Sequence, residues 1–68
     1  MRFTYDKEAD AVYIYLGDFI EGGGVKETRE LKENIFLDLD ENGKLLGIEI
    51  LDASKILNKE LLVKAEVV

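Results

Sequence analysis

Cysteine, histidine, proline and tryptophan are all missing from the 68 residues of this chain, and serine occurs once, at Ser54. Each absence removes something. Without cysteine there is no disulfide framework and no thiolate metal site. Without histidine the commonest general base, the commonest transition-metal ligand and the physiological pH switch are gone. No apolar run approaches the roughly 20 residues of a membrane span, and no signal-peptide core follows Met1-Arg2. The expected compartment is therefore the cytoplasm, with no membrane partner. Positive charge is also scarce: nine Lys and Arg stand against fifteen Asp and Glu, for a net charge of −6. A surface of this sign repels the phosphate backbone, so nucleic-acid binding is not expected, whereas a basic protein partner is.

What is present is strand periodicity. Residues 2–5 alternate, with Phe3 and Tyr5 on one face, and read as a first strand. The polar stretch 6–10 offers Asx-turn chemistry at both ends. Residues 11–16 form the strongest strand, with Val12, Ile14 and Leu16 on one face and Tyr13 and Tyr15 on the other. A glycine-rich loop follows over 17–24. Residues 25–31 suit a strand or a helix. Residues 34–40 alternate Ile35, Leu37 and Leu39 against Phe36, Asp38 and Asp40. Asn42-Gly43 is a strong hairpin signal, after which 44–51 returns as a strand with Leu46, Ile48 and Ile50 on one face. Asp52 can cap a helix opening at Ala53, with a break near Asn58. Residues 63–68 suit a helix or an added strand.

These elements predict an α+β fold: an antiparallel β-meander of about five short strands, followed by a short C-terminal helical segment. One small domain spans 1–68. A chain this short buries only about 60% of its unfolded surface. Val12, Ile14, Leu16, Ile35, Leu37, Leu39, Leu46, Ile48 and Ile50 supply one fully apolar face. The other face carries Tyr13, Tyr15, Phe36, Leu45 and Leu51, more than one short helix can cover. That surplus predicts a homodimer or another homo-oligomer.

Two segments together resemble a known family. Tyr5-Asp6-Lys7-Glu8-Ala9-Asp10, running on into residues 11–16, and Gly47-Ile48-Glu49-Ile50-Leu51-Asp52-Ala53-Ser54 are similar to the opening and the close of the domain-of-unknown-function 2283 family. The resemblance covers most of 1–58, leaving 59–68 as a helical tail. It implies a compact β-rich domain among small, mainly prokaryotic proteins with no assigned activity. It also implies an antitoxin-like role beside small toxin-like partners.

Three groups of residues invite a functional reading. Asp38, Asp40, Asn42, Gly43 and Glu49 match the EF-hand calcium-loop pattern at every specified position. Three oxygen-bearing side chains and a bidentate Glu could wrap a hard cation. The flanks oppose this, because they carry strand periodicity where an EF-hand needs helices; the competing reading is a hairpin with solvated acids. Asp6, Glu8 and Asp10 form a second acidic cluster, either a docking patch for a basic partner, joined by Asp18, or turn chemistry that holds the first hairpin. Tyr13, Tyr15 and Phe36 offer an aromatic interaction surface. Glu49 amid Ile48, Ile50 and Leu51 invites an acid role, against the plainer reading of a pair with Arg29 or Lys44. Gly47 in mid-strand suggests a bulge or a close approach. Ser54 is explained by helix capping. With no histidine to activate it, no catalytic residue and no cofactor are expected.

Overall fold

The computed structural model describes residues 2–17 and 23–68. Strand β1 (Arg2–Asp6) and β2 (Ala11–Tyr15) form the first antiparallel hairpin, with Phe3 opposite Ile14 and Tyr5 opposite Val12. Strands β3 (Glu27–Lys32), β4 (Ile35–Leu39) and β5 (Leu45–Leu51) follow, then helices α1 (Ala53–Ile56) and α2 (Lys59–Lys64), and a two-residue strand β6 (Glu66–Val67). The ambiguous stretch around residues 25–31 is thus a strand.

The sheet is six-stranded and mixed, in the order β3-β4-β5-β2-β1-β6. This corrects the expected meander in two places. Strand β2 pairs with β5, not with its successor β3, and β6 runs parallel to β1. The physical reason lies in composition. Strands β2 (AVYIY) and β5 (LLGIEIL) carry the apolar residues that a central position needs. Strand β3 (ETRELK) has no apolar face, and all six of its residues are exposed at the sheet edge. The tail after residue 58 is likewise not wholly helical, because β6 closes it onto β1.

The apolar face is the one that becomes the core. Val12 is fully buried against Ile50 and Ala53, and Phe3, Tyr5, Ile14, Ile35 and Ile48 pack around them. Leu57 and Leu62 bring the helical segment onto this face. Burying a side chain such as Val12 contributes roughly 1.5–3 kcal/mol. The helix break falls where expected. Asn58 is extended and its side chain accepts from the Leu61 N–H at 3.1 Å, capping α2.

The turns obey local chemistry with one departure. Asn34 takes the left-handed conformation in the tight β3–β4 turn, which an Asn tolerates. At the β4–β5 turn it is Gly43, and not Asn42, that has positive φ. The Gly43 N–H donates to the Asp40 carbonyl at 3.0 Å, and the register slips by one residue after Asp38. The Asn-Gly pair therefore builds a turn with a bulge, not the two-residue hairpin loop its sequence signals. No helix among the described residues is long and apolar enough to cross a membrane.

Candidate functional site

The helices leave the opposite face of the sheet open. Cross-strand register sets two rows of side chains on it. One row runs Thr28, Asp38, Gly47, Tyr15, Arg2; the other runs Glu30, Phe36, Glu49, Tyr13, Thr4. Tyr13 and Tyr15 are nevertheless only 5% and 9% exposed. They lie flat on the strands instead of standing out from them. Their ring centroids are 4.8 Å apart at an interplanar angle of 56°. The Arg2 guanidinium sits 4.9 Å above the Tyr15 ring, a cation–π arrangement. Arg2 is fixed from its other side by Glu66 at 2.9 Å. That bond raises the Arg2 pKa and holds the Glu66 carboxyl below the usual carboxylate range.

Gly47 explains how Tyr13 lies down. A Cβ at residue 47 would meet Cε1 and Cζ of Tyr13 at 2.6 and 2.7 Å. The ring thus occupies the space a side chain would need, and its hydroxyl crosses β5 to donate to Asp38 at 2.5 Å. Thr28 donates to the other Asp38 oxygen at 2.6 Å. Mid-strand Gly47 supplies a close approach, and the register slip of the β4–β5 pair lies directly beside it, between the Asp38–Gly47 and Leu39–Leu45 pairs. The tyrosine part of the aromatic surface predicted from Tyr13, Tyr15 and Phe36 is thus far less exposed than alternation suggests, while Phe36 is half-buried.

Around the same face lies a shallow concavity of about 450 Å³, lined by Arg2, Thr4, Asp6, Tyr13, Tyr15 and Glu49 among others. Asp6, Tyr13 and Tyr15 are therefore brought together. Glu8 stands apart, exposed at the tip of the first hairpin. Asp10 turns to the helix-covered face. Asp18 lies outside the described residues. Arg2, Thr4 and Glu66 were not singled out by sequence. The alternation of residues 2–5 places Arg2 and Thr4 away from Phe3 and Tyr5, but it cannot name the strand beside them.

The acids of the first hairpin hold the fold. One Asp6 carboxylate oxygen accepts from the Glu8 and Ala9 N–H groups at 3.1 and 3.2 Å, an Asx turn. Asp10 does more. Its Oδ1 accepts from the Tyr5 hydroxyl at 2.8 Å and the Ser54 N–H at 3.0 Å, and its Oδ2 accepts from the Ser54 hydroxyl at 2.7 Å. Its carbonyl accepts from the Ala53 N–H at 2.9 Å. The hydrogen bonds from Ser54 and then Tyr5 hold the Asp10 carboxyl below its ordinary value, and the same bond pushes the Tyr5 phenol up. Asp10, 44 residues away in sequence, is thus the acid that receives the first N–H groups of α1. Asp52 occupies the N-cap position in a left-handed conformation and makes no side-chain cap bond. That corrects the expectation that Asp52 caps this helix. A cap can be supplied from outside the helix, and here the first hairpin supplies it.

The residues of the calcium-loop pattern do not converge. Asp38 accepts from Tyr13 and Thr28 on the open face. Asp40 accepts from the Asn42 and Lys44 N–H groups at 2.8 and 2.9 Å. Asn42 is exposed at the turn, and Glu49 faces Tyr13 and Phe36 across the sheet. Among the described residues no three such groups are placed to hold a metal ion. The partners suggested for Glu49 are elsewhere. Arg29 pairs with Glu27 at 2.9 Å beside Leu37, and Lys44 lies in the turn.

Fold and site together define a small mixed-sheet domain whose signature aspartates Asp6 and Asp10 accept hydrogen bonds from within the chain. The sequence profile described as "Protein of unknown function (DUF2283)" matches residues 2–54, and the chain belongs to that family. It is 43% identical over 58 residues to the uncharacterized protein MJ0789 of Methanocaldococcus jannaschii, an alignment that covers 85% of this chain and 46% of that protein. The chain thus spans about half the length of that relative. No solved structure matches it. Both halves of the family signature can now be placed: Tyr5 and Asp10 from the first meet Ser54 from the second in one hydrogen-bonded cluster.

Proposed function

We propose that this chain is a non-catalytic, acidic interaction module that acts as a homo-oligomer, in its simplest form a dimer. The observation that carries the reading is a division of labour among side chains. Asp6, Asp10, Asp38 and Asp40 each accept at least two hydrogen bonds from the chain itself. Apolar side chains meanwhile stand in solvent along the rim of the sheet. Leu31 in β3 is 61% exposed, and Val67 in β6 and Val68 just after it are 55% and 65% exposed. Carboxylates engaged by the chain's own donors are scaffolding, and exposed apolar groups at a sheet edge are a surface for protein contact. This shifts the expected interface from the tyrosine face to the rim.

The net charge of −6 extends the reading to a basic protein partner, in keeping with an antitoxin-like role in the cytoplasm. Of Asp6, Glu8 and Asp10, Glu8 is the one exposed at the hairpin tip, where it can meet such a partner. Light scattering coupled to size-exclusion chromatography tests the first part. A particle of twice 7.7 kDa is expected at high micromolar concentration, and a monomer would remove the reading. For the second part, Glu8→Lys is expected to weaken capture of a basic partner, and unchanged capture would take Glu8 out of the interface.

A further inference from the structure

We infer that β3 is the dimer seam, pairing antiparallel with β3 of a second copy about a two-fold axis at Thr28. The inference rests on the self-association reading above and gives it a surface, a register and a symmetry.

Strand β3 has β4 as its neighbour on one side and forms the edge of the sheet on the other. An edge of this kind presents unpaired N–H and C=O groups to another strand. Its six residues are all exposed, so a second strand can approach without displacing a side chain from the core. A two-fold axis perpendicular to the sheet keeps each face continuous across the seam. Directly opposed residues must then lie on the same face. That requires the axis to pass through a residue, not between two.

Few registers remain, and charge separates them. Centring on Glu27, Arg29 or Glu30 sets a charged residue against its own copy, which is destabilising. Arg29 as centre also opposes Lys26 and Lys32, and Glu30 as centre also opposes Glu27 and Glu33. Centring on Leu31 would oppose Glu30 and Lys32, but the register shift between those two puts them on different faces, opposite Phe36 and Ile35 respectively. Centring on Thr28 opposes Glu27 with Arg29, Lys26 with Glu30 and Thr28 with itself. Each charged pair occurs twice and no like charges meet.

The geometry within one chain is already suited to this. Glu27 and Arg29 lie on one face and are bridged at 2.9 Å. Two copies in this register close a ring of four alternating charges. Strand β3 is free of the bulge over the residues that pair, because its irregularity falls after Glu30. Edge charges of this sort usually deter strand pairing. Here their order deters every slipped register and permits one.

The test is cysteine cross-linking of the full chain, which has no native cysteine. Thr28→Cys places two thiols directly opposite, at the about 4.5–5.5 Å Cβ separation of opposed strand residues. Lys32→Cys places them about 27 Å apart at 3.4 Å per residue. Under mild oxidation Thr28→Cys is expected to become covalent dimer at least about tenfold faster than Lys32→Cys. Arg29→Glu is expected to raise the dimer Kd about tenfold, because two attractive pairs become repulsive. The double change Glu27→Arg with Arg29→Glu is expected to restore it. If the native chain dimerises but both cysteine variants cross-link equally, or Arg29→Glu leaves the Kd unchanged, the β3 seam is overturned while self-association stands. If the native chain is monomeric, both fall. Melting temperatures of the variants separate these outcomes from misfolding.

Discussion

The Tyr13 hydroxyl lies 2.5 Å from the Asp38 carboxylate, reached across an intervening strand. The two residues are 25 apart in sequence, and Gly47 provides the passage between them. This one contact ties β2 to β4 over β5 and accounts for a glycine in the middle of a central strand, where glycine is otherwise unfavourable. It also holds against the sheet the Tyr13 ring, which strand alternation turns outward and which is only 5% exposed.

Gly47→Val is expected to destabilise the chain by about 1–3 kcal/mol through overpacking against the Tyr13 ring, despite the better strand propensity of valine. Tyr13→Phe keeps the ring over Gly47 and loses only the hydroxyl, at a cost of about 1 kcal/mol. Urea denaturation of the two variants checks the order. A Gly47→Val chain as stable as the native one would show that the ring does not need that space.

The pH dependence should trace to Asp10. Its pKa is depressed in the fold, so it contributes stability that is present above its unfolded value of about 3.9 and is lost as pH falls through the lower folded value. Glu66 acts in the same direction through Arg2. Tyr5 has the opposite sign: its raised pKa contributes below about 10 and is lost as pH rises through the folded value. Asp10→Asn is expected to lower the melting temperature at neutral pH and to flatten its fall below pH about 4. A variant with the native acid profile would assign that profile to other carboxylates.

Helix capping separates Asp52 from Asn58. Asn58→Ala is expected to cost about 1 kcal/mol, because its side chain caps α2. Asp52→Gly is expected to be neutral or slightly stabilising, since the Asp52 side chain makes no cap bond, accepts only a long 3.4 Å contact from Asn34, and φ is 52°, a conformation glycine adopts without steric cost. Thermal unfolding of both variants measures the difference. A larger loss at Asp52 would restore it as the cap.

These residues also show where sequence reading succeeds. Period-two alternation placed Val12, Ile48 and Ile50 on the buried face, because the pleat alone decides which side chains share a face. It could not place β2 beside β5, since alternation says nothing about neighbours. The edge position of β3 is visible only in retrospect, in the absence of any apolar face from ETRELK. Strand β6 escapes because two residues have no period. Asp10 looked like turn chemistry and is partly that, but its bonds to Ser54 arise from tertiary contact. The calcium-loop residues do not converge because Asp40 accepts from the N–H groups of its own turn, while Asp38 and Glu49, on one face, stand in different rows of the sheet. Alternation turns Tyr13 outward, because the pattern does not reveal that Gly47 leaves it room to lie flat.

Amide hydrogen exchange of β3 as a function of protein concentration tests the central claim most directly. Outward-facing amides of an unpaired edge strand exchange freely, while those in a strand pair are protected. The outward-facing amides of Glu27–Lys32 are expected to slow as the concentration rises through the dimer Kd, while those of β2, already central in the sheet, stay unchanged. Exchange in β3 that is fast and independent of concentration, in a chain that otherwise dimerises, would contradict the seam.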